Sequence, residues 1–291
     1  MSMRVLTLAA IAAVLGCVAS ASAQPTTPEP RNLPWRSLLA WQPKQGSVTY
    51  GNDDLQLTVS ASEAASPDQR VPVVTVRRTG MAPVTLRGEP GIGWRFGIGR
   101  IDSKVRAPAV LLESFTGGAH CCSVIDVAAP DAAAYRVVRL SHRGVDGKTS
   151  HMFDAALDEF PIDLSGDGIA DFVLTDDAFL YRFSSYAGSM PPPLVLNIVG
   201  TRTVDVSKAP GLRPLFAMKM AEARAYCAAP AWAGNERNGA CAGYVADAAR
   251  IGQFDAAWKQ MLAQYDPRST WNKKPFPADL RDFLRSHGYI R

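Results

Sequence analysis

The 291-residue chain predicts an α+β fold: an antiparallel β-rich domain, built as propeller-blade-like or sandwich sheets, followed by a C-terminal α-helical region. Three observations carry that expectation. Between Trp35 and Ser207 short β-branched and aromatic runs recur, separated by Gly, Pro, Asn and Asp. From Leu215 onward the apolar residues fall instead at three- and four-residue steps. Between the two regimes lies an acidic, glycine-containing stretch, D-L-S-G-D-G-I-A-D at residues 163–171, which runs straight into Phe172, Val173 and Leu174.

The first 23 residues read as a secretory signal peptide. Arg4 supplies a basic start, an apolar run extends from Val5 to Val14, and Ala21-Ser22-Ala23 is a small-residue exit that places cleavage after Ala23. Val14-Leu15-Gly16-Cys17 is an imperfect lipobox, so lipid attachment at Cys17 is the alternative. Either way the mature chain is expected in the periplasm or outside the cell, with no transmembrane segment. Residues 24–34 are Pro-rich and expected to stay flexible. About 255 residues remain, enough for one large core or two modest ones. We expect the β-rich domain over 35–210 and the helical region over 211–291. With 31 Lys and Arg against 27 Asp and Glu, the formal charge of +4 is mild, and its scattered positions predict no nucleic-acid surface.

Strands are expected over residues 54–60, 71–79, 94–102, 109–115, 123–128, 135–140, 171–175, 179–183, 194–199 and 203–206. The first alternates and should be half-buried. Pro72 near the start of the second fits a strand beginning or a sheet edge.

In residues 163–171 the oxygen-bearing side chains occupy positions one, three, five and nine, with Gly168 at six. Short loops wrap hard cations in this way. Asp163, Ser165, Asp167 and Asp171 would face the ion and Ile169 would offer its carbonyl oxygen. Gly168 allows the sharp turn. An acidic turn before a strand would show the same residue types without any ion. Leu174 stands where an EF-hand would place its twelfth-position Glu. These residues, with the following A-D-F-V-L-T-D, resemble the calcium loop of the FG-GAP or VCBS repeat of integrin-type propellers. The resemblance covers one loop and one strand; it implies a structural Ca2+ between two strands of a blade and no catalysis.

Ile101-Asp102-Ser103 and the run that follows echo Ile162-Asp163-Leu164 and its successor at an offset of about 60 residues. Lys104, Arg106 and Pro108 replace the acidic and glycine features in the first copy, so only the second is expected to bind metal. Two or three such units do not close a ring, which favours an open stack of antiparallel sheets or a sandwich.

Helices are expected over residues 216–225 and 242–261, the latter broken near Gly252, and from about Pro277, burying Leu280, Phe283 and Leu284. Of the cysteines beyond residue 23, Cys227 and Cys241 flank a short Gly/Pro-containing loop between two of these helices, and we expect them to pair. That leaves Cys121 and Cys122 bridged to each other or free.

The string T-G-G-A-H-C-C at residues 116–122 resembles one found in secreted bacterial proteins ahead of a D-x-x-G-D-G loop, a resemblance that implies no activity. His120 with Cys121 or Cys122 could hold a soft metal, with His142 and His151 adding donors, or supply a nucleophilic thiol beside a base. A glycine turn with structural histidine and cysteines is the plainer reading. Asp158 with Glu159, and Asp176 with Asp177, are the other acidic clusters; paired carboxylates could serve glycoside hydrolysis, though solvated turns have the same composition. Tyr181, Phe183 and Tyr186, followed by Ser189-Met190-Pro191-Pro192-Pro193, make an aromatic, proline-rich patch that fits a ligand rim or a strand and its exit loop.

Two functional readings follow. The first is a non-enzymatic secreted binding or envelope-interaction protein with a structural calcium loop, whose ligand or envelope partner the residues do not name. The second is a periplasmic hydrolase using carboxylates near residues 171–177 or the His120/Cys121 pair. Convergence of those groups in one cleft discriminates a working site from residues dispersed over turns.

Overall fold

A computed structural model of the chain describes residues 30–291 apart from residues 53, 64, 65, 67, 68, 119, 120, 132, 145, 230–236 and 272, and apart from the side chains of Asn52 and Cys121. The segment expected to be a signal peptide, Cys17 and His120 therefore lie outside the described residues.

The strands in chain order are β1 (Arg31–Asn32), β2 (Leu39–Trp41), β3 (Val48–Asn52), β4 (Leu55–Ala61), β5 (Pro72–Arg78), β6 (Val84–Arg87), β7 (Gly93–Gly99), β8 (Ala109–Gly118), β9 (Cys121–Pro130), β10 (Tyr135–Arg139), β11 (His142–Arg143), β12 (Thr149–Ser150), β13 (Phe172–Thr175), β14 (Pro193–Val199) and β15 (Arg202–Asp205). Four helices follow: α1 (Arg213–Ala228), α2 (Asn238–Arg250), α3 (Phe254–Leu262) and α4 (Phe276–Ser286).

Alternation along the strands sorts them into layers. In β4, Leu55, Leu57 and Val59 are buried while the intervening residues are more accessible, a one-faced strand in the sheet β1-β3-β4-β5-β6. Pro72 opens β5, where its missing N–H removes no essential ladder bond, although the strand is internal. In the second sheet, β10-β9-β8-β7-β2, the central strand β8 is buried on both faces. Val110 and Leu112 pack with Leu57, Val74 and Trp41 of the first interface. Ala109 and Leu111 turn the other way, toward Phe153, Phe160, Phe172 and Leu196. The small sheet β13-β14-β15 forms the next layer. From β14, Leu194, Leu196 and Ile198 face the second sheet, while Val195 joins Leu212, Phe216 and Ile251 on the helical side. The result is an open stack of antiparallel sheets with a helical layer behind it, not a ring of blades.

α2 runs through the middle of the helical part, buried from Asn238 to Ala248. Its small residues permit close approach: a Cβ on Gly243 would overlap the Met190 carbonyl oxygen. Cys227 and Cys241 are bonded, Cα to Cα 4.6 Å, and so tie the end of α1 to the start of α2. Gly252, at φ +76°, ends the α2 segment and lets the chain turn into α3. Leu280, Phe283 and Leu284 of α4 are buried, as the spacing requires.

The strand expected over 179–183 does not form. Residues Asp177–Phe179 make a single 3-10 turn, and Tyr181 takes φ +56°, which no strand accommodates. Phe179 and Phe183, four residues apart, both enter the helical core, where their rings meet Phe283 edge-on at 4.8 and 5.2 Å. Helix packing, rather than sheet pairing, satisfies this aromatic run. β7 likewise ends at Gly99, short of the expected residue 102.

The two echoed segments lie against each other. Ser103 donates its N–H to Gly168 O at 2.8 Å, and Ala170 donates to Ile101 O at 2.8 Å. The turn at 101–103 thus props the acidic loop.

Candidate functional site

Residues 163–171 form a loop closed at its base by the Ile162–Asp171 bridge. Its acidic side chains fold inward on the backbone. Asp163 Oδ1 accepts from Gly166 N at 2.7 Å and its Oδ2 from Gly168 N at 2.9 Å. Asp167 Oδ1 accepts from Ile169 N at 2.8 Å, and Asn197 Nδ2 donates to Asp167 Oδ2 at 3.2 Å. Asp171 Oδ2 takes both Leu164 N and Ser165 N at 2.7 Å. Among the described residues no three His, Cys, Asp or Glu side chains are gathered as a metal ion would need. Two buried oxygens beside this loop nevertheless have no hydrogen-bond partner, Asp171 Oδ1 and Asn197 Oδ1. Asp171 and Asn197 are 2% and 1% exposed, and a buried acceptor without a donor carries a desolvation cost of about 1–3 kcal/mol. Burial pushes the Asp171 carboxyl up despite the two backbone N–H groups it accepts. Acidic, hydroxyl, amide and carbonyl oxygens are the donor types that hard ions such as Ca2+ take.

The second site is a cleft of about 880 Å³. The end of β8, the start of β9, the β11–β12 hairpin and the turn at 176–178 line it. It gathers residues that the sequence presents separately: Cys122, His142, His151, Asp176 and Asp177 all face it, together with Arg139. Cys122 is disulfide-bonded, which removes a free thiol nucleophile at that position. Asp158, Glu159 and the loop at 163–171 contribute nothing to its lining.

The two histidines, Arg139 and the two aspartates of the cleft are anchored. His142 Nε2 sits 3.0 Å from Met152 O and its ring stacks on Phe153 at 4.8 Å. His151 Nδ1 sits 3.0 Å from Leu140 O. A carbonyl only accepts, so these contacts place an N–H on His142 Nε2 and on His151 Nδ1, leaving the opposite nitrogens as acceptors in the neutral rings. Arg139 spans Asp126, at 2.8 and 3.0 Å, and Glu89, at 2.5 Å. Burial pushes the Asp126 carboxyl up in spite of that guanidinium. Asp177 accepts from Asp154 N at 3.1 Å and from the Thr175 hydroxyl at 3.1 Å. Burial dominates there too and carries the Asp177 carboxyl up to about 6, although it is only half-buried by surface area. Asp176 accepts from the Tyr289 hydroxyl at 2.6 Å, which locks the turn to the end of the chain. Among the described residues no histidine of the cleft is hydrogen-bonded to a carboxylate.

The sequence names most of these side chains but not their meeting. Arg139 and Glu89, which shape the cleft, carry no motif; the signal that could have found Arg139 is its place opposite Asp126 on the neighbouring strand.

No solved structure matches this chain. A family model described as the sll0997 C-terminal domain matches residues 216–288, which takes in most of α1 and all of α2, α3 and α4. The chain is similar to a probable thylakoid lumen protein, sll0997, of Synechocystis, 29% identical over 271 residues that cover 86% of this chain and 77% of the relative. It is also similar to an uncharacterized protein, y4bJ, of Sinorhizobium fredii, 25% identical over 283 residues that cover 88% of this chain and 42% of that protein. The chain thus spans less than half of the second relative. The lumen is an extracytoplasmic compartment. Among the described residues no helix is long and apolar enough to cross a membrane.

Proposed function

We propose that this is an extracytoplasmic, non-enzymatic binding protein whose ligand, a short peptide segment carrying both charge signs, occupies the cleft between the β11–β12 hairpin and the turn at 176–178. The observation that carries this reading is the convergence of Arg139, His142, His151, Asp176 and Asp177 on one cavity of about 880 Å³, a size suited to a small ligand. Arg143 and Lys148 line it as well, with Glu89 and Asp146. Mixed charge around a concave surface suits a partner of mixed charge. The anchored histidines, Arg139 and aspartates form a preorganised surface, which lowers the cost of binding. The placement outside the cytoplasm rests on the signal-type N-terminus, the disulfides and the lumenal relative.

The loop at 163–171 is, in this reading, a structural Ca2+ site. Asp163, Ser165, Asp167 and Asp171 with the Ile169 carbonyl would hold the ion. The ion would fix the start of β13, the strand that leads to Asp176 and Asp177. The orphaned oxygens of Asp171 and Asn197 support it.

Selection from a displayed random hexapeptide library tests the cleft. Enriched peptides should carry both acidic and basic residues, and should lose at least ten-fold in affinity to an Arg143→Glu, Lys148→Glu double variant. Failure to enrich any peptide, or equal affinity for the variant, would contradict it.

A hydrolase is the second reading, favoured by the Asp177 carboxyl titrating near 6, where a general acid works. Hydrolysis of peptide or glycoside substrates that Asp177→Asn abolishes between pH 5 and 7 would put it first.

A further inference from the structure

On another face, the chain leaving the turn at 176–178 meets the segment before α4. Tyr181 is 49% exposed and Trp271 is 43% exposed, so neither ring serves the core. Tyr181 holds φ +56°, a region where a bulky residue is strained. Its surroundings are fixed: the Trp271 indole N–H donates to Tyr181 O at 2.9 Å, the Tyr186 ring lies 5.6 Å from the Tyr181 ring, and the Tyr186 hydroxyl donates to Asp154 Oδ2 at 2.7 Å. Rings held in advance lose little freedom when a ligand lands on them.

Beside them is a depression of about 400 Å³ lined by Tyr181, Arg182, Trp271, Lys273, Lys274 and Asp279. Arg182 and Asp279 form a planar two-pronged pair, at 2.8 and 2.6 Å. Three cations line the depression: Arg182 is paired with Asp279 and Lys274 Nζ lies 3.4 Å from Asp282 Oδ2, so Lys273 supplies its excess of positive charge. Aromatic faces accept the C–H face of a pyranose ring, planar ion pairs accept and donate to its hydroxyls, and the surplus of positive charge selects a sugar bearing a carboxylate.

We propose that Tyr181, Trp271 and the Arg182–Asp279 pair form a second binding site, separate from the cleft, for an anionic glycan whose sugar ring stacks on the aromatic side chains and whose carboxylate lies toward Lys273 and Lys274. The site binds and does not react.

Calorimetric titration of the full chain with tetragalacturonate, and with neutral maltotetraose as control, tests this. Tetragalacturonate binds and maltotetraose binds at least ten-fold more weakly. Trp271→Ala lowers the affinity at least ten-fold. Tyr181→Gly does the same while melting within a few degrees of wild type or above it, because glycine takes the φ +56° backbone without strain. Lys273→Glu with Lys274→Glu removes the preference for the acidic sugar. No binding of tetragalacturonate, equal binding of the two sugars, or unchanged affinity in Tyr181→Gly overturns the proposal.

Discussion

Arg182 and Asp279, 97 residues apart, meet in a two-pronged ion pair, Nη1 to Oδ2 at 2.8 Å and Nη2 to Oδ1 at 2.6 Å. The same guanidinium lies over the rings of Phe183 and Phe283, 4.7 and 5.5 Å from their centroids. The pair joins the segment leaving the β layers to α4, beside the packing of Phe179 and Phe183 on Phe283. Its side chains are 35% and 10% exposed, between a surface pair worth under 1 kcal/mol and a fully buried one. Arg182→Ala is therefore expected to cost about 2 kcal/mol of unfolding free energy. A loss below about 0.5 kcal/mol in chemical denaturation would mean that apolar packing alone holds the junction.

The acidic loop predicts a calcium response. A site of extracellular type, with a dissociation constant of about 0.1 to 1 mM, gains about 1 kcal/mol in millimolar Ca2+. Melts in calcium and in chelator should differ by a few degrees, and Asp167→Ala should erase the difference. Superimposed melts of the wild type would remove the ion from the account.

Asp177 gives the protein a pH dependence of known sign. Its carboxyl titrates near 3.8 when unfolded and about 6 when folded, so the native state holds this proton more tightly. The stability it contributes is full below about pH 3.8 and lost as pH rises through 6. The melting temperature of the wild type minus that of Asp177→Asn, which cannot ionise, should fall between pH 4 and pH 7. A flat difference would place the carboxyl at its ordinary value, and a rising one would place it below.

The fold was legible where one principle dominates. β4 shows its alternation, α4 its apolar stripe, and the Gly252 break its left-handed turn. The Cys227–Cys241 bond followed from two cysteines flanking a short loop between helices. Short strands such as β1, β2, β11 and β12 were not visible, because two or three residues show no period. Residues 179–183 misled for a related reason: Phe179 and Phe183 are apolar in any pattern, and only the presence of Phe283 decides that they face helices. The cleft was half legible. His142, His151, Asp176, Asp177 and Cys122 stand out as residue types, yet their convergence depends on the β8–β9 register and on where the β11–β12 hairpin folds back. Such long-range pairings leave no local trace.

The most direct test of the binding account is amide hydrogen exchange of the protein with and without a peptide enriched in the library selection. The account predicts slowed exchange concentrated in residues 142–152 and 176–178, with the loop at 163–171 and the helices unchanged. Protection confined to the helical region, or spread evenly over the chain, would contradict it.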